Sequence, residues 1–150
     1  MNMTEVAFHF NAPDKLAYAC RFARKAVRRD MRVVITGSEQ DLRQLDRMLW
    51  AMAPTDFVAH CLDEADEEQR TASPVLLARA TYDMRQCRHR EMLLNLGDAV
   101  PEGYGEFAKL VEVVSRSDEA DRSRARERWR HYASRGHQIV RHDLVLKEGT

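Results

Sequence analysis

EVAFHFNAPDKLAYACRFARKAVRRDMRVVITGS, Glu5 to Ser38, contains the changes of period that decide the fold. EVAFHF, Glu5 to Phe10, alternates in the manner of a strand, and Asn11-Ala12-Pro13-Asp14 follows as a turn ending in a helix-capping carboxylate. From Lys15 to Arg29 the apolar residues Leu16, Ala19, Cys20, Ala23, Ala26 and Val27 recur three and four apart. That spacing predicts an amphipathic helix, with basic residues gathered at the C-terminal end where the helix dipole favours them. RVVIT, Arg32 to Thr36, is a β-branched run suited to a buried strand. Gly37-Ser38 leads into a second helix from Glu39 to about Ala51, with Leu42, Leu45, Leu49 and Met52 on its inner face. Two strand-helix units in the first third of the chain predict an open α/β sheet, largely parallel or mixed, flanked by helices.

Further along the units are shorter. Residues 54–60 have room for a short strand, and DEADEEQRTA, Asp63 to Ala72, reads as an exposed acidic loop. PVLLARA, Pro74 to Ala80, and EMLLNL, Glu91 to Leu96, read as strands on either side of a polar segment rich in Arg and His. A loop from Gly97 to Gly105 precedes a buried strand, KLVEVVS, Lys109 to Ser115. A last helix is expected from about Ser117, its N-cap, to Arg135. It stops at Gly136 and is followed by an edge-like strand, QIVRHDLVL. No internal repeat divides the chain, so residues 1–150 are expected to form one domain.

A chain of 150 residues buries roughly two thirds of the surface that its unfolded form exposes, enough for a core without cross-links. Lys and Arg total 24, as do Asp and Glu, so any attraction to a polyanion must be local. Cys20, Cys61 and Cys87 form no CxxC pair, the N-terminus lacks the pattern of an export signal, and no apolar run approaches the ~20 residues of a membrane span. A cytoplasmic location without membrane contact is the expectation.

An α/β sheet invites a search for nucleotide chemistry, yet neither GxGxxG nor GxxxxGK[ST] occurs, and the first strand runs into FNAPDKLA without a glycine. Thr36-Gly37-Ser38 reads as a tight turn. His60-Cys61 and Cys87-Arg88-His89 offer four atoms that zinc accepts, but adjacent residues on a strand point to opposite faces. No nucleophile elbow is present, so neither catalysis nor a cofactor or metal is expected. His89, His131, His137 and His142 read as surface residues.

The chemistry that is present lies in RSRARERWRHYASRG, Arg122 to Gly136. On a helix advancing about 100° per residue, Arg122, Arg126, Trp129 and Arg130 fall within an arc of roughly 100°, while Arg124 and Arg128 point elsewhere as scattered surface charge. Guanidinium groups bind carboxylates through paired charge-assisted hydrogen bonds, and an indole supplies an apolar wall, a combination suited to an acidic peptide with a hydrophobic end. The alternative from residues alone is a solvated face, with Trp129 anchoring the helix to the sheet. A second candidate is LWAMAPTDFV, Leu49 to Val58. There Trp50 lies about 100° off the inner stripe, next to Pro54 and Phe57, either as an anchor for a partner or as part of a satellite core.

Several separated blocks resemble one family. EVAFHFN with its long helix, RVVIT, LRQLDRMLWAMAPTDFVAH and RSRARERWRHYASRGH are similar to the chi subunit of bacterial DNA polymerase III, an accessory protein of the clamp-loader complex. The likeness is most specific in LDRMLW…FVAH and ARERWRHYASRG and weak from Glu64 to Gln86. The resemblance implies a non-catalytic Rossmann-like domain that links two partners during DNA replication. One is the acidic, phenylalanine-ending C-terminal tail of single-stranded DNA-binding protein, received at Arg122, Arg126, Trp129 and Arg130. The other is the psi subunit, and through it the clamp loader, received at Trp50, Pro54 and Phe57. Where psi is lacking, the second surface would serve another partner, such as a helicase-like protein. The family can carry tyrosine at the aromatic position and lysine at the outer basic ones, so Trp129 keeps the ring and loses the hydroxyl. The zero net charge, the acidic stretch and the single aromatic in the patch argue against direct DNA contact, and none is expected. The competing reading is direct nucleic-acid binding by the Arg-rich late helix.

Overall fold

The structure is a computed structural model that describes residues 3–52 and 58–145. Among these residues seven strands form one sheet: β1 (Glu5–Ala12), β2 (Val33–Gly37), β3 (His60–Leu62), β4 (Val75–Arg79), β5 (Met92–Asn95), β6 (Lys109–Ser115) and β7 (Ile139–Asp143). Four helices accompany them: α1 (Lys15–Arg28), α2 (Glu39–Trp50), the short α3 (Glu67–Ala72) and α4 (Glu119–Ser134). The sheet order is β3-β4-β2-β5-β6-β1-β7, and every neighbouring pair is parallel. The expected sheet is therefore wholly parallel rather than mixed. Parallel strands covered on both faces need apolar residues throughout, and VVITG in β2 is buried at all five positions.

Each face of the sheet has its own core. On one, Ala19, Ala23 and Ala26 of α1 and Leu42, Leu45 and Leu49 of α2 pack over Ile35, Leu77, Leu94 and Val111. On the other, Ala125 and Tyr132 of α4 pack over Phe8, Val34, Leu93 and Leu110. Alternation along each strand divides the residues: Ile35 faces α1 and α2, and Val34 faces away from them.

The helices begin where side chains satisfy their first N–H groups. Asp14 accepts from the Ala17 amide at 3.1 Å and Ser38 from the Asp41 amide at 3.1 Å. Asp118, not Ser117, caps α4, accepting from Ala120 and Asp121; Ser115 Oγ accepts from the amides of Ser117 and Asp118 and draws the cap one residue onward. Gly136 closes α4 at φ 83°, a left-handed turn that suits glycine.

Four other expectations are corrected. The acidic stretch is not an open loop: Asp66 caps α3, and Asp63 is buried because its carboxylate takes the Arg79 guanidinium at 2.8 Å and the Arg79 amide at 2.6 Å. The short strand starts at His60, and the preceding residues 53–57 lie outside the described residues. His89 is fully buried, its Nε2 hydrogen-bonded to the Ser73 carbonyl at 2.8 Å, and burial pushes its pKa down.

The largest correction concerns Arg128, which is 2% exposed. The inner stripe of α4 is Asp121, Ala125, Arg128 and Tyr132, and a hydrophobic pattern cannot reveal a stripe that is half charged. Its counterpart is Glu112 of β6, fully buried, which accepts from Arg128 Nε at 2.9 Å, from Asn95 Nδ2 at 3.0 and 3.1 Å, and from the Tyr132 hydroxyl. Arg128 Nη1 donates to the Asp98 carbonyl at 2.8 Å. Desolvation raises the Glu112 pKa, opposed by Arg128 and the hydrogen bonds. At the head of the stripe Asp121 accepts from Lys15 Nζ at 2.9 Å and from the Ser115 amide at 2.8 Å, which joins α1, β6 and α4.

Removing one partner of a buried ion pair leaves the other uncompensated, so Arg128→Ala should lower unfolding free energy by ~3–5 kcal/mol. Arg124→Ala, which removes a surface pair to Asp98, should cost no more than about 0.5 kcal/mol. Urea unfolding of both variants checks the contrast, and equal midpoints would contradict the buried placement of Arg128.

Candidate functional site

The four late-helix residues singled out by the sequence come together around one cavity of about 390 Å³ between α4 and the β1–β7 end of the sheet. Phe8, Val114 and Ala125 supply apolar lining, Trp129 and Phe10 supply rings, and Arg122, Arg126, Arg130 and Arg141 supply the charge. The Phe8 and Trp129 rings lie 5.0 Å apart at 52°. Trp129 is thus partly buried, anchored through one side while another lines the cavity.

Phe8, Phe10 and Arg141 are contributions that the sequence reading missed. Alternation in EVAFHF placed Phe8 and Phe10 on one face, a signal available in the sequence. Arg141 could not be found without strand pairing. It sits opposite Phe8 in the β1–β7 register, and its guanidinium lies 5.3 Å from the Phe10 ring centre and 6.0 Å from that of Trp129.

The arginines differ in how firmly they are held. Arg122 donates to the Arg116 carbonyl at 3.0 Å and to Asn11 Oδ1 at 3.3 Å, and Asn11, at φ 65°, donates in turn to Asp143 at 3.0 Å. Arg126 donates to Glu119 at 3.1 Å, an exposed pair of the kind worth at most about 1 kcal/mol in water. The Arg130 side chain has no hydrogen bond or ion pair among the described residues. Four guanidiniums surround an apolar hollow, with Glu119 as their one carboxylate neighbour in these contacts, a chemistry suited to an anion attached to a hydrophobic group.

Trp50 ends α2 with 61% of its surface exposed, its ring 5.1 Å from that of His60. The His60 ring is fixed by the Val58 carbonyl at 2.6 Å and by Asp46 at 3.0 Å. Pro54 and Phe57, the other members of that candidate surface, lie outside the described residues.

The crevice at the C-terminal ends of the strands, where α/β sheets receive nucleotides, has different chemistry. Its cavity of about 320 Å³ is lined by Asp14, Asp41, Asp98, Asp118 and Asp121, with Lys15 and Arg124 as the cations. Asp14, Ser38 and Asp118 already occupy the N-terminal amides of α1, α2 and α4. Carboxylates repel phosphate, and capped amides do not offer themselves to it. Among the described residues no group of three or more His, Cys, Asp or Glu side chains is arranged to hold a metal ion. Cys61, Cys87 and His89 turn to backbone carbonyls instead. Among the described residues no helix is long and apolar enough to cross a membrane.

Comparison with known proteins identifies the family. Residues 3–140 match the family model described as DNA polymerase III chi subunit, HolC. A DNA polymerase III subunit chi of Pseudomonas aeruginosa is 31% identical over 147 residues, covering 95% of this chain and 98% of that protein. A protein of the same description from Haemophilus influenzae is 28% identical over 119 residues, 79% of each chain. A family-model match over nearly the whole length, with a relative covered almost end to end, places the chain in the DNA polymerase III chi subunit family.

Proposed function

We propose that the protein is a non-catalytic accessory subunit of a replicative DNA polymerase, and that its α4 socket receives the acidic, phenylalanine-ending tail of single-stranded DNA-binding protein. One observation carries the reading: Arg122, Arg126, Trp129 and Arg130 converge with Phe8, Phe10 and Arg141 on a single apolar cavity. The terminal ring of the tail packs among Phe8, Phe10 and Trp129, and its α-carboxylate pairs with a guanidinium. The upstream acidic residues are steered by the remaining arginines. Glu119 holds Arg126 only through an exposed contact, which a ligand carboxylate can displace at small cost. Each contact is weak, and several tails on one DNA-bound assembly raise the effective concentration and keep the polymerase near the coated strand.

The exposed Trp50, with Pro54 and Phe57 beyond it in sequence, forms the second arm of the link, toward psi and the clamp loader, or toward a helicase-like protein where psi is lacking. The late helix is a poor rail for nucleic acid: Arg128 is buried on Glu112 and Arg124 leans to Asp98, which leaves a compact cluster.

Fluorescence anisotropy with an acidic peptide ending in Pro-Phe tests the socket. Removal of the final Phe should weaken binding at least about tenfold, equivalent to about 1.4 kcal/mol, and Arg126→Ala should do the same. Added salt should weaken the intact peptide's binding, since part of it is exposed charge pairing. Equal binding of the truncated peptide would refute the proposal. Trp50→Ala should leave peptide affinity within about twofold while reducing capture of psi in a pull-down by about tenfold or more, a loss typical of an aromatic interface anchor; loss of peptide binding too would mean the two surfaces are not separate.

A further inference from the structure

A second basic surface lies on the opposite face of the sheet, and nothing in the proposed link uses it. Between the C-terminal half of α1 and the β1–β7 edge runs a groove of about 530 Å³, larger than the socket. Among the described residues no acidic side chain lines it. From Lys15 to Arg29 the chain carries six cations and no carboxylate, although the protein as a whole has no net charge. Arg21, Lys25 and Arg29, all exposed, follow one another four residues apart along the groove, about 6 Å per step on a helix. Beside them lie the half-buried rings of Tyr18 and Phe22, 6.2 Å apart. His9 holds the Tyr18 hydroxyl at 2.5 Å.

We infer that this groove binds single-stranded nucleic acid without sequence preference. The ligand that fits has a negative charge at each repeat, to meet a ladder of cations, and a flat face at each repeat, to lie against the open sides of the half-buried rings. A single strand has both, and binding sites for such strands combine these two features. A duplex keeps its bases stacked on one another and offers the rings nothing. An acidic peptide would satisfy the cations but brings no repeating flat group to Tyr18 and Phe22. The inference departs from the expectation that the chain makes no DNA contact. It also concerns the face away from the socket: His9 and His142 of β1 and β7 look into the groove, while their neighbours Phe8, Phe10 and Arg141 look into the socket. A tail and a strand can therefore be held together, one on each side of the same sheet edge.

The test is anisotropy of a fluorescein-labelled oligothymidylate with the full chain at low salt. Binding should fall roughly twentyfold between 50 and 200 mM salt if three phosphates are neutralised. The combined variant Arg21→Gln, Lys25→Gln, Arg29→Gln should lose at least tenfold in affinity for the oligonucleotide while binding the Pro-Phe peptide within twofold of the parent, which also reports an intact fold. Four results would each overturn the inference. They are no binding at low salt, undiminished binding by the triple variant, a loss that follows Trp129→Ala instead, and tighter binding of a duplex or of a polyglutamate peptide at the groove. Failure of the Pro-Phe peptide to bind the parent chain would count against the socket and not against the groove.

Discussion

The buried pair of Glu112 and Arg128 sets the rotation of α4, and nearly everything on the functional face follows from that rotation. Arg128 can reach Glu112 only if Asp121, Ala125 and Tyr132 also face the sheet, since all four lie within roughly 60° on a helix. With that stripe turned inward, Trp129, Arg122, Arg126 and Arg130 occupy the flank beside it in that angular order, and Arg124 is carried to the other flank. Two charges out of water are a costly way to attach a helix. A greasy stripe would attach it too, but would tolerate sliding; an ion pair hydrogen-bonded by Asn95, Tyr132 and the Asp98 carbonyl admits one register.

The second organising feature is the separation of charge on a molecule whose total is zero. Carboxylates collect at the C-terminal ends of the strands, where a nucleotide would otherwise bind, and guanidiniums collect at the β1–β7 edge. A parallel sheet with a shared edge strand can then present two different basic surfaces, because successive residues of β1 and β7 face opposite sides. Phe8 and Phe10 belong to the socket and His9 to the groove. The fold keeps its α/β scaffold while its basic surfaces lie at the edge and not at the crevice.

The sequence disclosed the fold where period and punctuation were strong. β1, α1, β2 and α2 followed from EVAFHF, the spaced alanines of α1, RVVIT and the leucines of α2. The arginines of the socket were legible because helical geometry alone groups Arg122, Arg126, Trp129 and Arg130. What stayed hidden depended on partners distant in sequence. Arg128 looked like surface charge because Glu112, sixteen residues earlier, is visible as its partner only when β6 lies under α4. His89 and Asp63 looked exposed for the same reason, their partners being the Ser73 carbonyl and Arg79. Arg141 entered the socket through strand pairing, which no local pattern encodes.

An amide and indole NMR titration of the full chain with the acidic Pro-Phe peptide tests the socket at the level of single residues. The Trp129 indole N–H and the amides of Phe8, Phe10, Arg122, Arg126 and Arg141 should shift together and saturably, while the Trp50 indole stays in place. Shifts centred on Trp50, or on neither tryptophan, would contradict the proposed socket.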